Sequence, residues 1–237
     1  MTTVTIREAT IADKDAIFDV HYAALQTFHE FYVVFFKMDL KDSMPIATER
    51  ALNNPDIDFL VAEEGGSVVG FIRYKREPEV TPNTAKEEAP PVSLWDPKEH
   101  LAEMWARFNA RQAEMDACRD KAIDGRAHYY VIHLMIHPDH QRKGIGGKLL
   151  TSITDKADAE GIPTMLVSSA EANGLYSKLG FESLGSWPLN NGHWAREIVK
   201  LERSLGMEDR ENFVERFGAL TEVEDCMIRN PRSSDER

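Results

Sequence analysis

Residues 134–150, LMIHPDHQRKGIGGKLL, constrain this chain more than any other stretch. The run at 128–136, HYYVIHLMI, carries almost no charge and ends at His137-Pro138. It reads as a strand buried on both faces. Gly144, Gly146 and Gly147 follow, and then Leu149, Leu150, Ile153 and Ala157 at helical spacing. A buried strand that turns through glycines into a helix gathers the unpartnered N–H groups of the first helical turn at one place. Glycine lets a ligand come close to them, and the helix dipole favours an anion there, most naturally a phosphate or pyrophosphate. Arg142, Lys143 and Lys148 flank the turn, although the chain as a whole carries 28 Lys+Arg against 40 Asp+Glu, a net charge of −12. A basic cluster in so acidic a chain strengthens the expectation of an anion site.

Three phosphate motifs compete for the turn. A Walker loop needs Gly-Lys-Ser/Thr, but Lys148 is followed by Leu149 and the upstream glycine is missing. A dinucleotide fingerprint needs a third glycine where Leu149 stands. The third pattern is Gln/Arg-x-x-Gly-x-Gly/Ala after a strand ending L-x-V/I-x-P. Leu134, Ile136, Pro138, Gln141, Gly144 and Gly146 satisfy it, and Leu175-Tyr176-Ser177-Lys178-Leu179-Gly180-Phe181 supplies an L-Y-x-K-x-G-F segment downstream.

With these residues the sequence resembles the GCN5-related N-acetyltransferase (GNAT) superfamily, over roughly residues 3–76 and 126–202. The resemblance implies an α/β (α+β) fold: a central mixed, mostly antiparallel twisted sheet, splayed between its fourth and fifth strands and flanked by helices. It also implies acetyl-CoA as cosubstrate, with the pyrophosphate on the backbone of Gln141, Arg142, Lys143, Gly144, Ile145, Gly146, Gly147 and Lys148. The pantetheine arm is then expected along Leu134, Met135 and Ile136. Tyr176 matches the tyrosine that protonates the departing thiolate. Where relatives often carry a pantetheine-binding Asn, this chain has Ser169, with Asn173 nearby, so both are candidate contacts.

The implied activity is transfer of acetyl to a primary amine by direct attack in a ternary complex. A catalytically silent CoA-binding module, or transfer from another acyl-CoA, is the alternative. The base is harder to place, because the strand at 128–136 has no Asp or Glu. His133 titrates in a useful range, and strand alternation sets it beside Val131 and Met135; a hydrogen-bonded core histidine is the competing role. His29, Glu30, Glu63 and Glu64 are further candidates. No metal site is expected, despite His133, His137 and His140.

Residues 1–203 are expected to form the acetyltransferase domain, with a helical insertion at about 77–125 and a helical or disordered extension at 204–237. Within it, residues 59–63 and 67–75 around Gly65-Gly66 read as a hairpin. The ring-rich 28–38 reads as a core helix, with a substrate pocket lined by some of its rings as the alternative, 76–91 as a loop, and 96–121 as one amphipathic helix. Residues 181–187 and 194–201 read as a closing antiparallel pair. Trp95, Trp105 and Phe108 are candidates for a lid over the acceptor.

The acidic balance argues against nucleic acid and anionic membranes, and favours a small cationic amine by long-range steering. Cys118 and Cys226 form no motif. No apolar run reaches the roughly 20 residues of a membrane helix, and the N-terminus lacks a signal pattern. A cytoplasmic protein is expected, with the nucleus and a homodimer left open.

Overall fold

The structure, a computed structural model, describes residues 3–80, 93–208, 210 and 212–232. Val4–Glu8 (β1) leads into Lys14–Ala24 (α1), Gln26–Tyr32 (α2) and Leu40–Leu52 (α3), then the hairpin Asp58–Glu64 (β2) and Ser67–Glu77 (β3). Ala102–Phe108 (α4) and Ala110–Ile123 (α5) precede His128–Ile136 (β4), Ile145–Glu160 (α6), Thr164–Ser168 (β5) and Asn173–Lys178 (α7). Glu182–Asn190 (β6), Asn191–Ser204 (α8), Phe213–Phe217 (α9) and Thr221–Arg229 (β7) complete the order.

Among the described residues the strands form one sheet, β1-β2-β3-β4-β5-β7-β6, in which only β4 and β5 run parallel. That pair is short. Its register runs Tyr129–Thr164, Tyr130–Met165 and Val131–Leu166, while β4 continues to Ile136. Beyond Val131 the two strands part, and Val167 on β5 is left 37% exposed. This is the expected mixed, splayed sheet.

The two faces of the sheet are filled differently. Leu149, Leu150, Ile153 and Ala157 of α6 pack on Leu60, Ala62, Ile72, Tyr74, Tyr129 and Val131. On the other face, Ile17 and Val20 of α1 pack on Phe59, Val61 and Phe71. A third cluster joins the expected core rings Phe31 and Phe35 to Leu101, Phe108, Ile198 and Phe217. It welds the insertion, α8 and the C-terminal segment to the α2 region. Arg111 Nε bonds Glu224, and the Tyr32 hydroxyl bonds Glu222 at 2.6 Å, across the same junction.

Several elements differ from the sequence reading. The 204–237 segment, expected to be helical or disordered, contributes β7, seated between β5 and β6. Its apolar Cys226, Met227 and Ile228 are buried, and the charged Glu222, Glu224 and Asp225 that mask the pattern are each bonded by neighbouring elements. Residues 194–201 belong to helix α8 rather than a strand, because Ala195, Ile198 and Val199 follow a helical period and are buried together. The strand pairing expected of them is made by β7. The single helix at 96–121 is broken at Asn109 into α4 and α5. Helix α3 escaped notice because Pro45 interrupts it, yet Leu40, Met44, Thr48 and Ala51 make a buried stripe. Most of the expected loop at 76–91, and residues 233–237, lie outside the described residues.

Candidate functional site

The glycine turn has the geometry its sequence suggests. Arg142 and Gly144 both adopt the left-handed region, at φ 63° and 79°, and the first backbone bond of α6 is Lys148 N–H to Gly144 at 3.2 Å. Among the described residues nothing accepts from the amides of Ile145, Gly146 and Gly147. A Cβ added to Gly144 would meet no atom within 4 Å, so the turn is open beside this residue. Arg142, Lys143 and Lys148 are exposed around it. Three free amides, the positive end of a sixteen-residue helix and three cations fit a pyrophosphate.

Strand β4 carries the turn. The His137 amide bonds Val69 at 2.9 Å, and Met135 pairs with Phe71. By antiparallel alternation the backbone of Met135 faces β3, whereas the amides and carbonyls of Leu134 and Ile136 face the gap towards β5. Of the gap-facing carbonyls, that of Ile136 accepts from Gln141 Nε2 at 3.1 Å. Gln141 therefore pins the turn to the strand end through its side chain.

Helix α7 closes on the same place. A Cβ on Gly146 would lie 3.4 Å from Leu175 Cδ2 and 3.7 Å from Ile136 Cγ1, and one on Gly147 3.7 Å from Leu175 Cδ1. The glycines leave the first turn of α6 bare where Leu175 of α7 approaches it. Tyr176 is 5% exposed and packs edge-on to Phe181 at 5.8 Å, in the cluster that includes Leu134 and Ile136. Burial pushes its phenol up to about 12. The hydroxyl is thus protonated at neutral pH, and nothing among the described residues hydrogen-bonds it. Asn173 is committed elsewhere: its amide nitrogen bonds Asp225 and its oxygen accepts from Ser177 at 3.2 Å. Ser169 is exposed, and its carbonyl caps α7 by accepting from Ala172 and Asn173.

His133 lies apart from these groups. The register of β3 and β4 shifts between Arg73–His133 and Tyr74–Val131, which leaves Ile132 as an extra residue. Such a bulge reverses the alternation. Val131 faces α6, whereas His133 shares the α1 face with Met135. The expected neighbour Val131 is on the opposite face, since strict alternation does not survive an inserted residue. Burial, and then the Arg73 charge, lower His133 to about 3. The other candidate bases are engaged: Glu63 bonds Arg7 at 3.0 Å, Glu64 bonds His140 at 2.8 Å, and Glu30 bonds Gln26 and Arg216. His29 is buried and lowered to about 4.

The three rings suggested as a lid differ in burial, and Trp95 is 37% exposed. Phe108 is 2% exposed and stacks on Trp105, which packs on Phe35 and Phe36, so these rings are core. Trp95 packs edge-on to Phe36. Missed in the sequence were His21, Arg73 and Asp225. Only the pairing of distant elements gives them neighbours, and no local pattern marks them.

The family model described as acetyltransferase (GNAT) family matches residues 24–181. The chain belongs to the GNAT acetyltransferase family. A Corynebacterium glutamicum structure, described as histone acetyltransferase HPA2 and related acetyltransferase, is 17% identical, with 98% of each chain covered and a TM-score of 0.54. The PaiA N-acetyltransferase of Thermoplasma acidophilum, solved in complex with coenzyme A, is 16% identical over 96% of this chain and 99% of that one, with a TM-score of 0.49. At such identities the likeness is one of fold. Among curated proteins none matches the chain. No helix among the described residues is long and apolar enough to cross a membrane.

Proposed function

We propose that this chain transfers the acetyl group of acetyl-CoA to a primary amine by direct attack within a ternary complex. The observation that carries the reading is the meeting of open turn amides, the gap-facing backbone of Leu134 and Ile136, and the helix bearing Tyr176. The turn amides with Arg142, Lys143 and Lys148 would hold the pyrophosphate. The Leu134 and Ile136 backbone would pair with the pantetheine amides like an added strand, and the Ile136 N–H would polarise the thioester carbonyl. Ser169 is the remaining polar candidate for the arm, and Asn173 acts through α7.

In the reaction the neutral amine nitrogen bonds the carbonyl carbon, the C–S bond breaks, and the sulfur takes the Tyr176 proton. The proton lost by the attacking nitrogen leaves through water. His133, a neutral ring with its pKa near 3, is too weak a base to take it at pH 7. Its place is in the wall on the acceptor side.

Calorimetric titration of acetyl-CoA, with NAD as control, tests the reading. Micromolar binding of acetyl-CoA alone, abolished in Gly144→Glu/Gly146→Glu, is the expected result. Equal binding by that variant would remove the turn from the cofactor site, and no binding by the native chain would end the assignment.

A further inference from the structure

On the α1 face of the sheet, four side chains from four elements meet. The His21 ring of α1 lies 4.6 Å from His133 of β4 and 5.3 Å from His29 of α2, between centroids. Arg73 of β3 is the register partner of His133, and its guanidinium stands over Phe59 at 5.7 Å. His29 is buried, while His21, Arg73 and His133 keep partial access to solvent. His133 stands just past Val131, the last β4 residue paired with β5, so the cluster borders the gap between those strands.

What the cluster lacks is a counter-charge. Nε of Arg73 and Nδ1 of His29 are buried without a hydrogen-bond partner. Among the described residues no carboxylate is paired with Arg73 or acts on the three rings; His21 feels His133, His29 and Arg73, and His133 feels Arg73 and His29. A guanidinium drawn out of water ordinarily has a carboxylate to hold. The rings are neutral at pH 7, and each can turn an N–H donor inward. No group of three or more metal-binding side chains among the described residues is disposed to hold a metal ion. One fixed cation ringed by neutral donors matches a single negative charge, and the planar guanidinium fork matches a carboxylate in two hydrogen bonds.

We propose that this cluster receives the carboxylate of the acceptor, so that the substrate is an amine that also bears a carboxylate, an amino acid in the broad sense. The proposal rests on the acetyl-transfer reading above and narrows its substrate class. It also reconciles two scales of charge. The net charge of −12 attracts the ammonium end from a distance, while Arg73 reads the carboxylate at contact. A carboxylate bound there would offset the Arg73 charge that disfavours protonation of His133.

Two measurements test it. The first is thiol release from acetyl-CoA with the common amino acids, each beside its α-carboxamide, together with β-alanine, O-phosphoethanolamine and butylamine. The second follows histidine-ring resonances in the CoA-loaded protein during titration with sodium propionate or propionamide. Acids are expected to exceed their amides by at least about tenfold in kcat/KM, with the gap shrinking to about twofold in Arg73→Gln. Propionate should move the His21 and His133 signals in the native protein and leave them unmoved in Arg73→Gln. Arg73→Lys keeps the charge without the fork; it should fall between the two and guards against a folding defect. Amides that serve as well as acids would overturn the proposal, as would a preference that survives Arg73→Gln. Ring signals unmoved by propionate would do the same even if no amine in the panel reacts, and O-phosphoethanolamine as the best substrate would replace carboxylate by phosphate. Failure to bind acetyl-CoA is a separate outcome: it removes the acetyl-transfer reading, while the propionate titration still decides whether the cluster holds a carboxylate.

Discussion

Arg229 of β7 holds Asp158 of α6 through both terminal nitrogens, at 2.8 and 2.7 Å, and the two side chains are only 4% and 7% exposed. The Arg232 amide adds a third bond to the carboxylate at 2.9 Å. Hydrogen bonding by Arg229 holds Asp158 below the usual carboxylate range. Removing one partner strands a buried charge, which costs about 3–5 kcal/mol. Asp158→Ala is therefore expected to lose about that much stability in urea unfolding. The double variant Asp158→Leu/Arg229→Met should recover most of it. Equal curves for Asp158→Ala and the native chain would show that the pair carries no weight.

Removing the strand that Arg229 anchors should be more drastic. β7 lies between β5 and β6 and contributes Cys226, Met227 and Ile228 to the buried set. A chain ending at residue 220 would leave β6 without its ladder and bare one edge of β5. It is expected to be insoluble or unfolded by circular dichroism. A folded, soluble truncation would mean that the sheet does not need its C-terminal strand.

Tyr176→Phe separates chemistry from packing. The hydroxyl bonds nothing among the described residues, so the melting temperature should hardly move. Acetyl-CoA affinity should be unchanged as well, while kcat falls by about 10²-fold or more if the phenol protonates the thiolate. A variant with native kcat would assign that proton to water.

Gly144 and Gly146 should respond differently to alanine. Gly144 has room for a Cβ but sits at φ 79°, so Gly144→Ala is expected to cost about 1–2 kcal/mol in backbone strain. Gly146 lies in the first turn of α6, where alanine gains about 1 kcal/mol of helix propensity. Its new Cβ would stand 3.4 Å from Leu175, which offsets part of that gain. Thermal melts should show Gly144→Ala clearly destabilised and Gly146→Ala near the native value. The reverse order would contradict the backbone geometry.

The three histidines on the α1 face give a pH dependence whose sign is fixed. His29 and His133 are lowered to about 4 and about 3, and His21 is also lowered, each with burial as the leading cause. Below about 6.5 the unfolded chain binds protons that the native rings refuse, so stability rises with pH. It is complete above pH 6.5 and drains away as the pH falls towards 4. Each ring contributes at most about 1.4 kcal/mol per pH unit in that window. Urea unfolding at pH 7.5 and 5.5 should show the loss before the carboxylates begin to titrate, and His133→Gln should reduce it. A flat profile between these values would mean that the rings are protonated in the native state.

Much of the site was legible because its signals are local. The strand 128–136, its glycine turn and the helix beyond it depend on apolar periodicity and on glycine at particular positions, both properties of a single stretch of chain. The hairpin around Gly65-Gly66 was legible for the same reason: two glycines at positive φ fit a tight turn and little else. The acidic β7 was misread because its strand pattern needs β5 and β6 beside it, and Asp225 looks like surface until Ser183 and Asn173 bond it. Helix α8 was misread because its aromatic and β-branched residues suit either period.

By itself, then, the sequence determined the turn, the strand that feeds it and the family to which they belong, since these follow from backbone geometry within one short segment. Tertiary structure alone decided which face His133 occupies, because one extra residue in β4 reverses every side chain before it relative to those after. It also decided that His21, His29 and Arg73 meet there with no carboxylate among them in the described residues. The neighbouring helices α1 and α2 and the distant strands β3 and β4 supply those groups, and only their packing sets the distances on which charge and desolvation depend.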